Sequence, residues 1–451
     1  MARKTKTIFV CQQCGVKHSK WMGRCQDCGE WNAVVEEKSP INTDGKIRLT
    51  GISNPTPISQ LKGQAVDRFP SNIQELDTVL GGGLVPGSVV LLGGEPGVGK
   101  STLLLQAANQ YALHGLKVLY VSGEESTSQI AIRANRLGAQ SENLLVVSET
   151  SLEKIEQHVS ELKPGLLIID SIQTVHSEEM TSQAGSVGQL RECTHQMIAL
   201  AKGRNMATFV VGHVTKDGAI AGPKVLEHMV DVVLYFEGTA TLSFRLLRSI
   251  KNRFGSTNEI GVFELTNEGA MEVTNPSELF LAERPEQTPG SVVVASIEGT
   301  RPLLVEVQAL ASPTSLSMPR RTAIGLDQNR VSLLVAILEK RGGYRMFDQD
   351  IYVNVAGGLR LQEPAADLGV VAALISSYQG QPTQKGDFFF GEVGLGGEVR
   401  SIPRVTERLK EGGRIGLTRA FVPMKAKKEL PPFSGLEIIG IENIQQLSDL
   451  L

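Results

Sequence analysis

Residues 88–102, SVVLLGGEPGVGKST, carry the clearest chemistry in the chain. Gly94, Glu95, Pro96, Gly97, Val98, Gly99, Lys100 and Ser101, with Thr102 after them, fit the pattern G-x-x-x-x-G-K-[ST]. Such a loop turns its backbone N–H groups inward around phosphate, and glycines are needed where side chains would obstruct the approach. Lys100 is expected to reach the β and γ phosphates as a point charge, and the Ser101 hydroxyl to ligate Mg²⁺. The apolar run 89–92 predicts a buried strand before the loop. A helix to about residue 113 is expected after it, with the positive end of its dipole at the anion. Strand, glycine loop and helix in this order point to a bound nucleotide, ATP or ADP.

Further polar residues end apolar runs. Residues 166–170, LLIID, finish on Asp170, which would hold Mg²⁺ through water or together with Ser101. Ser171 follows rather than Glu, so the carboxylate that orients an attacking water must come from elsewhere. Residues 121–125, VSGEE, offer Glu124, with Glu125 as its neighbour. His213 follows the run 209–212 and reads either as a sensor of the γ-phosphate or as a plain polar loop residue. Lys251, Asn252, Arg253, Phe254 and Gly255 follow a strand-like stretch at 242–249. They read as a basic hairpin, or as two cations entering a neighbouring subunit's nucleotide site or lying on DNA. The loops at 172–188 and 215–225 lack apolar content and are expected to move rather than pack.

Cys11, Cys14, Cys25 and Cys28 form C-x₂-C-x₁₀-C-x₂-C. Each pair can place two thiolates on one knuckle, and two knuckles complete a tetrahedral zinc site. All four ligands are thiolates, which leaves no open coordination position, so the zinc is expected to be structural. Lys17, His18, Lys20, Trp21, Arg24 and Trp31 decorate this finger. They read as contacts to DNA or a protein partner, or as solvated charges and packed tryptophans.

The chain has 451 residues, too many for one core, and 41% hydrophobic content, ordinary for a soluble globular protein. A net charge of -3 means that nucleic-acid contact would come from local patches. No apolar run approaches a bilayer span, and a cytoplasmic protein without membrane partners is expected. Four of the five cysteines precede residue 30, which in a reducing compartment favours metal over disulfides.

Strand-like runs at 117–121, 144–147, 166–169 and 207–211 alternate with helical ones at 127–137, 151–162 and 187–202. This is the pattern of a doubly wound α/β sheet, whose ligands lie at the carboxyl ends of the strands. Proline-bearing residues 275–290 read as a boundary. Beyond it come two strands around a turn at 298–302, helices at 330–340 and 365–376, and strands at 350–355 and 388–392. The expected division is a zinc finger at 1–33, a linker at 34–60, an ATPase domain at 61–274 and a C-terminal α+β domain at 285–451.

The phosphate loop, LLIID and the strand order resemble the RecA-type core of RecA, KaiC and the DnaB helicases. The four-cysteine finger, GEPGVGKS, SGEES, LLIID and KNRFG together resemble the bacterial RadA (Sms) family, over essentially the whole chain. KNRFG is the motif that sets that family apart from RecA. The resemblance implies a DNA-dependent ATPase of DNA repair, recombination and stress response. It also implies a hexameric, helicase-like motor that binds single-stranded and branched DNA and drives branch migration. Lys100, Glu124, Asp170, Lys251 and Arg253 would be its catalytic residues, and 172–188 and 215–225 its DNA-binding loops. RecA and other replication or repair proteins are its expected protein partners.

The C-terminal domain resembles the proteolytic domain of Lon. The serine position of that dyad falls near Asp367 and its lysine position at Thr406, so neither the hydroxyl nor the amine is present. The resemblance then implies a peptidase-inactive scaffold for oligomerisation and DNA contact. Arg301, Arg320, Arg321, Arg330, Lys340, Arg341, Arg345, Arg360 and Arg400 are available for phosphates. An ATP-dependent protease, and a clamp that only binds ATP, are the alternatives.

Overall fold

The computed structural model describes residues 5–11, 16–27, 29–40, 57, 67–213, 223–238, 244–285, 287–314, 318–431, 433 and 435–451. The chain divides into two units, Met1–Val273 and Thr274–Leu451. Among the described residues no helix is long and apolar enough to cross a membrane.

The N-terminal segment is a small antiparallel sheet of β1 (Thr5–Cys11), β2 (Lys17–His18) and β3 (Val34–Pro40), in the order β2-β1-β3. The expected linker therefore starts too early: residues 34–40 pair along the full length of β1. Alternation in VVEEKSP is weak, and the pairing with β1 supplies the register that the local sequence lacks.

The first unit continues with α1 (Gln74–Leu80), β4 (Val89–Gly94), α2 (Lys100–Leu113), β5 (Val118–Ser122), α3 (Thr127–Arg136), β6 (Leu144–Ser148) and α4 (Leu152–Leu162). Then come β7 (Leu166–Asp170), α5 (Val187–Arg204), β8 (Ala207–His213), α6 (Pro223–Glu227), β9 (Val232–Glu237), β10 (Phe244–Asn252), β11 (Ile260–Thr266) and β12 (Gly269–Glu272). The strands form one sheet in the order β12-β11-β10-β9-β4-β8-β7-β5-β6. The six strands from β9 to β6 are parallel, and β10 to β12 extend the sheet antiparallel. Strands covered on both faces read as continuous apolar runs, and β4, β5 and β7 are buried at every residue. Two apolar clusters, one built on Leu104, Phe209 and Phe236 and the other on Ile155, Ile169 and Met197, include alternate residues of these strands. Ser126 and Gln129 cap α3 reciprocally, and Ser151 and Ser186 cap α4 and α5, which fixes where each helix leaves its loop.

One expectation fails here. The segment after β7 does pack: Ile172 and Val175 are fully buried in the second cluster, and Ser177 is buried against Gln189. Two apolar side chains three residues apart suffice to anchor a loop whose composition is otherwise polar. Most of the other expected mobile loop, residues 215–222 of 215–225, lies outside the described residues.

The second unit opens with α7 (Pro276–Leu281), inside the stretch expected to be a boundary; its Ser277 side chain accepts from Leu304 N at 3.1 Å. It continues with β13 (Ser291–Glu298), β14 (Arg301–Pro313), β15 (Arg321–Ile324), α8 (Gln328–Ile337), β16 (Gln349–Val355), α9 (Asp367–Gln379) and β17 (Asp387–Phe389). The rest is β18 (Glu392–Val393), β19 (Val399–Arg400), α10 (Val405–Arg414), β20 (Arg419–Pro423), α11 (Met424–Glu429), β21 (Glu437–Ile441) and α12 (Ile444–Leu450). Its main sheet runs β15-β16-β14-β13-β17-β20-β21. Helix α9 is buried through its first ten residues and lies close on β13, where a Cβ at Gly369 would stand 2.3 Å from Val294 Cγ2. The expected helix at 330–340 ends instead in a π-helical turn, Leu338–Gly342.

Phe263 of β11 packs edge-on against Phe236 of β9, with ring centroids 5.8 Å apart, behind the phosphate loop. Phe263→Ala is expected to destabilise the first unit by roughly 3–5 kcal/mol, read as a lower urea midpoint at unchanged slope.

Candidate nucleotide site and metal knuckles

Parallel pairing brings the ends of four strands side by side. In the order β4-β8-β7-β5 they carry the phosphate loop, His213, Asp170 and, just past Ser122, Glu124. Gly94 lies opposite His213, and Ser122 opposite Asp170. The loop backbone is tight: a Cβ at Gly94 (φ 155) would stand 2.4 Å from Phe236 O. Gly99, at φ 107, heads α2.

Lys100 is 3% exposed, and its Nζ donates to Gly94 O at 2.8 Å and Glu95 O at 2.9 Å. It also lies 3.1 Å from His213 Nδ1. An ammonium can only donate, so Nδ1 accepts, and Nε2–H is left to donate to Glu124 Oε1 at 3.1 Å. The same Oε1 accepts from Ser171 Oγ at 2.5 Å. Burial lowers the Lys100 pKa to about 8, against the opposing pull of Asp170 and Glu124. Asp170 is buried and accepts at Oδ2 from the Tyr120 hydroxyl at 2.5 Å. Glu125 faces away, onto Arg133 at 2.6 Å. The structure thus joins Lys100, His213 and Glu124 in one chain of hydrogen bonds, with Asp170 beside it. Such a site can hold polyphosphate, hold a divalent cation at Asp170 and Ser101, and orient a water at Glu124.

Sequence reasoning missed three contributors. Tyr120 fixes one oxygen of Asp170, and Ser171 holds Glu124. Arg245 Nε donates to Val98 O of the loop at 3.1 Å. A tyrosine within the aliphatic run KVLYV was a usable signal, because a buried phenol seeks a partner.

Lys251 and Arg253 are not brought to this site. Asn252 pairs with Val232, and Val232 with Val90, so the motif lies where β4 begins, whereas the phosphate loop lies where β4 ends. Lys251 Nζ donates to Glu227 O at 2.9 Å, and Arg253 Nη1 lies 3.0 Å from Asp231 Oδ1. Asn252 Nδ2 donates to Val79 O and Leu80 O at the end of α1, and Arg68 donates to Phe254 O at 2.7 Å. Asn252 and Phe254 hold the hairpin, and the Arg253 side chain remains half exposed. This geometry keeps both cations away from the phosphate loop of their own chain.

In the N-terminal sheet Cys11 and Cys25 are buried beside Val34. Cys11 N donates to Val16 O and Cys25 N to Glu30 O, and Gly29 stands at φ 78. His18 Nε2 is 3.5 Å from Cys25 Sγ, and His18, Cys25 and Asp27 donor atoms lie within 4.8 Å of one another. Cys14 and Cys28 lie outside the described residues.

The C-terminal arginines divide. Arg330 is bound to the buried Asp367, and Arg400 to Glu398, so neither is a free phosphate ligand as expected. Asp367 also accepts from Val393 N at 3.1 Å, and burial raises its pKa. An ion pair therefore stands where a peptidase would need its nucleophile.

Comparison with known proteins agrees with these three regions. A rubredoxin metal binding domain model matches residues 9–36, an AAA domain model residues 55–219, and the model for subunit ChlI of Mg-chelatase residues 311–426. Over 449 residues the chain is 52% identical to DNA repair protein RadA of Halalkalibacterium halodurans, covering 99% of this chain and 98% of the relative. It is 51% identical to the protein of that name from Listeria monocytogenes, over 98% of this chain and 97% of the relative. The Bacillus subtilis protein of that name is 49% identical, with 98% of each chain covered.

Purified protein is expected to hold zinc in equimolar amount by atomic absorption, and Cys25→Ser to fall well below it. ATP affinity is expected to fall as pH rises through about 8, where free Lys100 loses its proton. Bound phosphate would hold the proton on, so the fall is at most about tenfold per pH unit, measured by titration calorimetry.

Proposed function

The chain belongs to the family of DNA repair protein RadA, and on that premise we propose that it is a DNA-stimulated ATPase motor acting on recombination intermediates. An ATPase of DNA repair follows from the family and its AAA domain. Movement along single-stranded and branched DNA, branch migration, and assembly as a hexameric ring are the finer reading. One observation carries the catalytic part: Glu124 is held by Ser171 and His213 at the end of a hydrogen-bonded chain that starts on Lys100.

On nucleotide binding Lys100 exchanges the carbonyls of Gly94 and Glu95 for phosphate oxygens. The backbone of Gly97, Val98 and Gly99 and the side chains of Ser101 and Thr102 surround the phosphates, aided by the N-terminus of α2. Mg²⁺, when bound, neutralises phosphate charge and is held by Ser101 and Asp170. Tyr120 donates to Asp170 Oδ2 and so fixes the carboxylate that would hold the cation. Glu124 orients the attacking water. His213 bridges Lys100 and Glu124, so it can report the state of the phosphate site to the segment after β8.

Lys251 and Arg253 act on the nucleotide of a neighbouring copy. Their distance from their own phosphate loop supports this, since a full strand length, about 3.3 Å per residue, lies between them. A ring in which each copy presents its KNRFG hairpin to the next copy's phosphate loop satisfies both positions. The protease reading is not favoured, because the serine position is held by Asp367, paired with Arg330, and the lysine position by Thr406.

Steady-state ATP turnover is expected to rise with single-stranded DNA, less so at higher salt, and to be lost in Lys100→Ala. Turnover indifferent to DNA would separate the two activities. Arg253→Ala is expected to lower turnover by about a hundredfold or more with nucleotide affinity kept. Mixing it with Lys100→Ala should restore part of the rate, because some interfaces then combine an intact Lys100 with an intact Arg253. No recovery on mixing would contradict action between copies.

A further inference from the structure

Asp231 stands just before β9, 4% exposed, at the end of the sheet away from the phosphate loop. Its N–H donates to Val89 O at 3.0 Å, and Val89 N donates back to Asp231 Oδ2 at 3.2 Å. The other carboxylate oxygen, Oδ1, takes two cations. Arg253 Nη1 lies 3.0 Å from it, and Lys202 Nζ, from the last turn of α5, lies 3.8 Å from it. Asp231 O also accepts from Arg253 N at 3.2 Å. One residue therefore holds Arg253 by its backbone and by its side chain.

A buried carboxylate is an expensive partner for one backbone N–H, because a neutral carbonyl would serve as well. The full negative charge is matched only by the cations, and Arg253 is the closer of the two. The contact is single. A bidentate fork would engage two of the guanidinium nitrogens, whereas here Nε and Nη2 have no partner among the described residues and the side chain is 53% exposed. The guanidinium is held at one corner with its remaining donors free.

The base of the hairpin is fixed too. Asn252 bonds to the end of α1, and a Cβ at Gly255 would stand 3.1 Å from Gly81 Cα. A long side chain on a fixed base still loses rotamer freedom when it enters a site in one geometry. A fixed carboxylate beside it removes part of that freedom beforehand. We propose that Asp231 is a positioning residue for ATP hydrolysis, aiming Arg253 at the nucleotide of the next copy. That role rests on the reading of Arg253 as acting between copies. The competing role is support of its own β4 through Val89, and it makes the opposite prediction when copies are mixed.

The test measures ATP turnover and ATP affinity of the full chain, with single-stranded DNA present, for Asp231→Asn, Arg253→Ala and the double variant. An amide keeps an acceptor for Val89 N but has no charge to hold Arg253. Asp231→Asn is expected to lower kcat by at least about tenfold, with ATP affinity within about twofold of the parent. The double variant should be no slower than Arg253→Ala, because both act through one guanidinium. Mixing Asp231→Asn with Lys100→Ala should restore part of the rate, since the defect lies in what one copy gives its neighbour. Asp231→Ser, smaller and still able to accept from Val89 N, should repeat the result and carries the test if Asp231→Asn does not fold. Weaker ATP affinity, effects that multiply in the double variant, or no recovery on mixing where Arg253→Ala recovers would assign Asp231 to its own strand and overturn the proposal. A parental rate in Asp231→Asn beside a slow Arg253→Ala overturns it and leaves action between copies standing. A parental rate in Arg253→Ala overturns both.

Discussion

A lysine ammonium buried at the end of a parallel sheet is the constraint on which the nucleotide site depends. Without phosphate, Lys100 must find acceptors inside the protein. It finds them in the carbonyls of Gly94 and Glu95 and in His213. This requires a loop whose carbonyls point inward, hence glycines at positive φ, one of which has Phe236 O where a side chain would begin. It also sets which ring nitrogen of His213 accepts, and through the other the orientation of Glu124. The remaining desolvation cost shows as the lowered pKa of Lys100, a cost that an anionic ligand would remove.

The sheet separates the chemistry into two ends. Phosphate loop, His213, Asp170 and Glu124 gather at the carboxyl ends of β4, β8, β7 and β5, as open parallel sheets dictate. The antiparallel return of β10 sends KNRFG to the other end, where Asn252 caps α1 and Asp231 pairs with Arg253. Asp231 also accepts from Val89 N, so the pairing reaches the first residue of the strand that carries the phosphate loop.

In the second unit, two ion pairs have a buried member. Arg330 with Asp367 and Arg408 with Glu363 are held in low-dielectric surroundings, where a lone charge would be costly.

Much of this was legible in the chain. The phosphate loop, the strand ending in Asp170, the cysteine spacing and the alternation of strands and helices are local patterns, and local patterns need no partner to be read. Glu124 was legible because the rule about carboxyl ends of strands turns a position in sequence into a position in space. Residues 34–40 and 172–177 were misread because their structure comes from distant partners, β1 in one case and a buried cluster in the other. Tyr120 and Ser171 were passed over because their roles exist only when β5 and β7 lie side by side. The sequence by itself determined which groups are available to bind phosphate and metal, since backbone freedom and side-chain chemistry are properties of each residue. Only the tertiary structure decided which groups share a site, that Arg253 faces away from its own phosphate loop, and that Arg330 is tied to Asp367. Hydrogen bonds and ion pairs act over a few ångströms, and only the fold brings residues that far apart in sequence within that range.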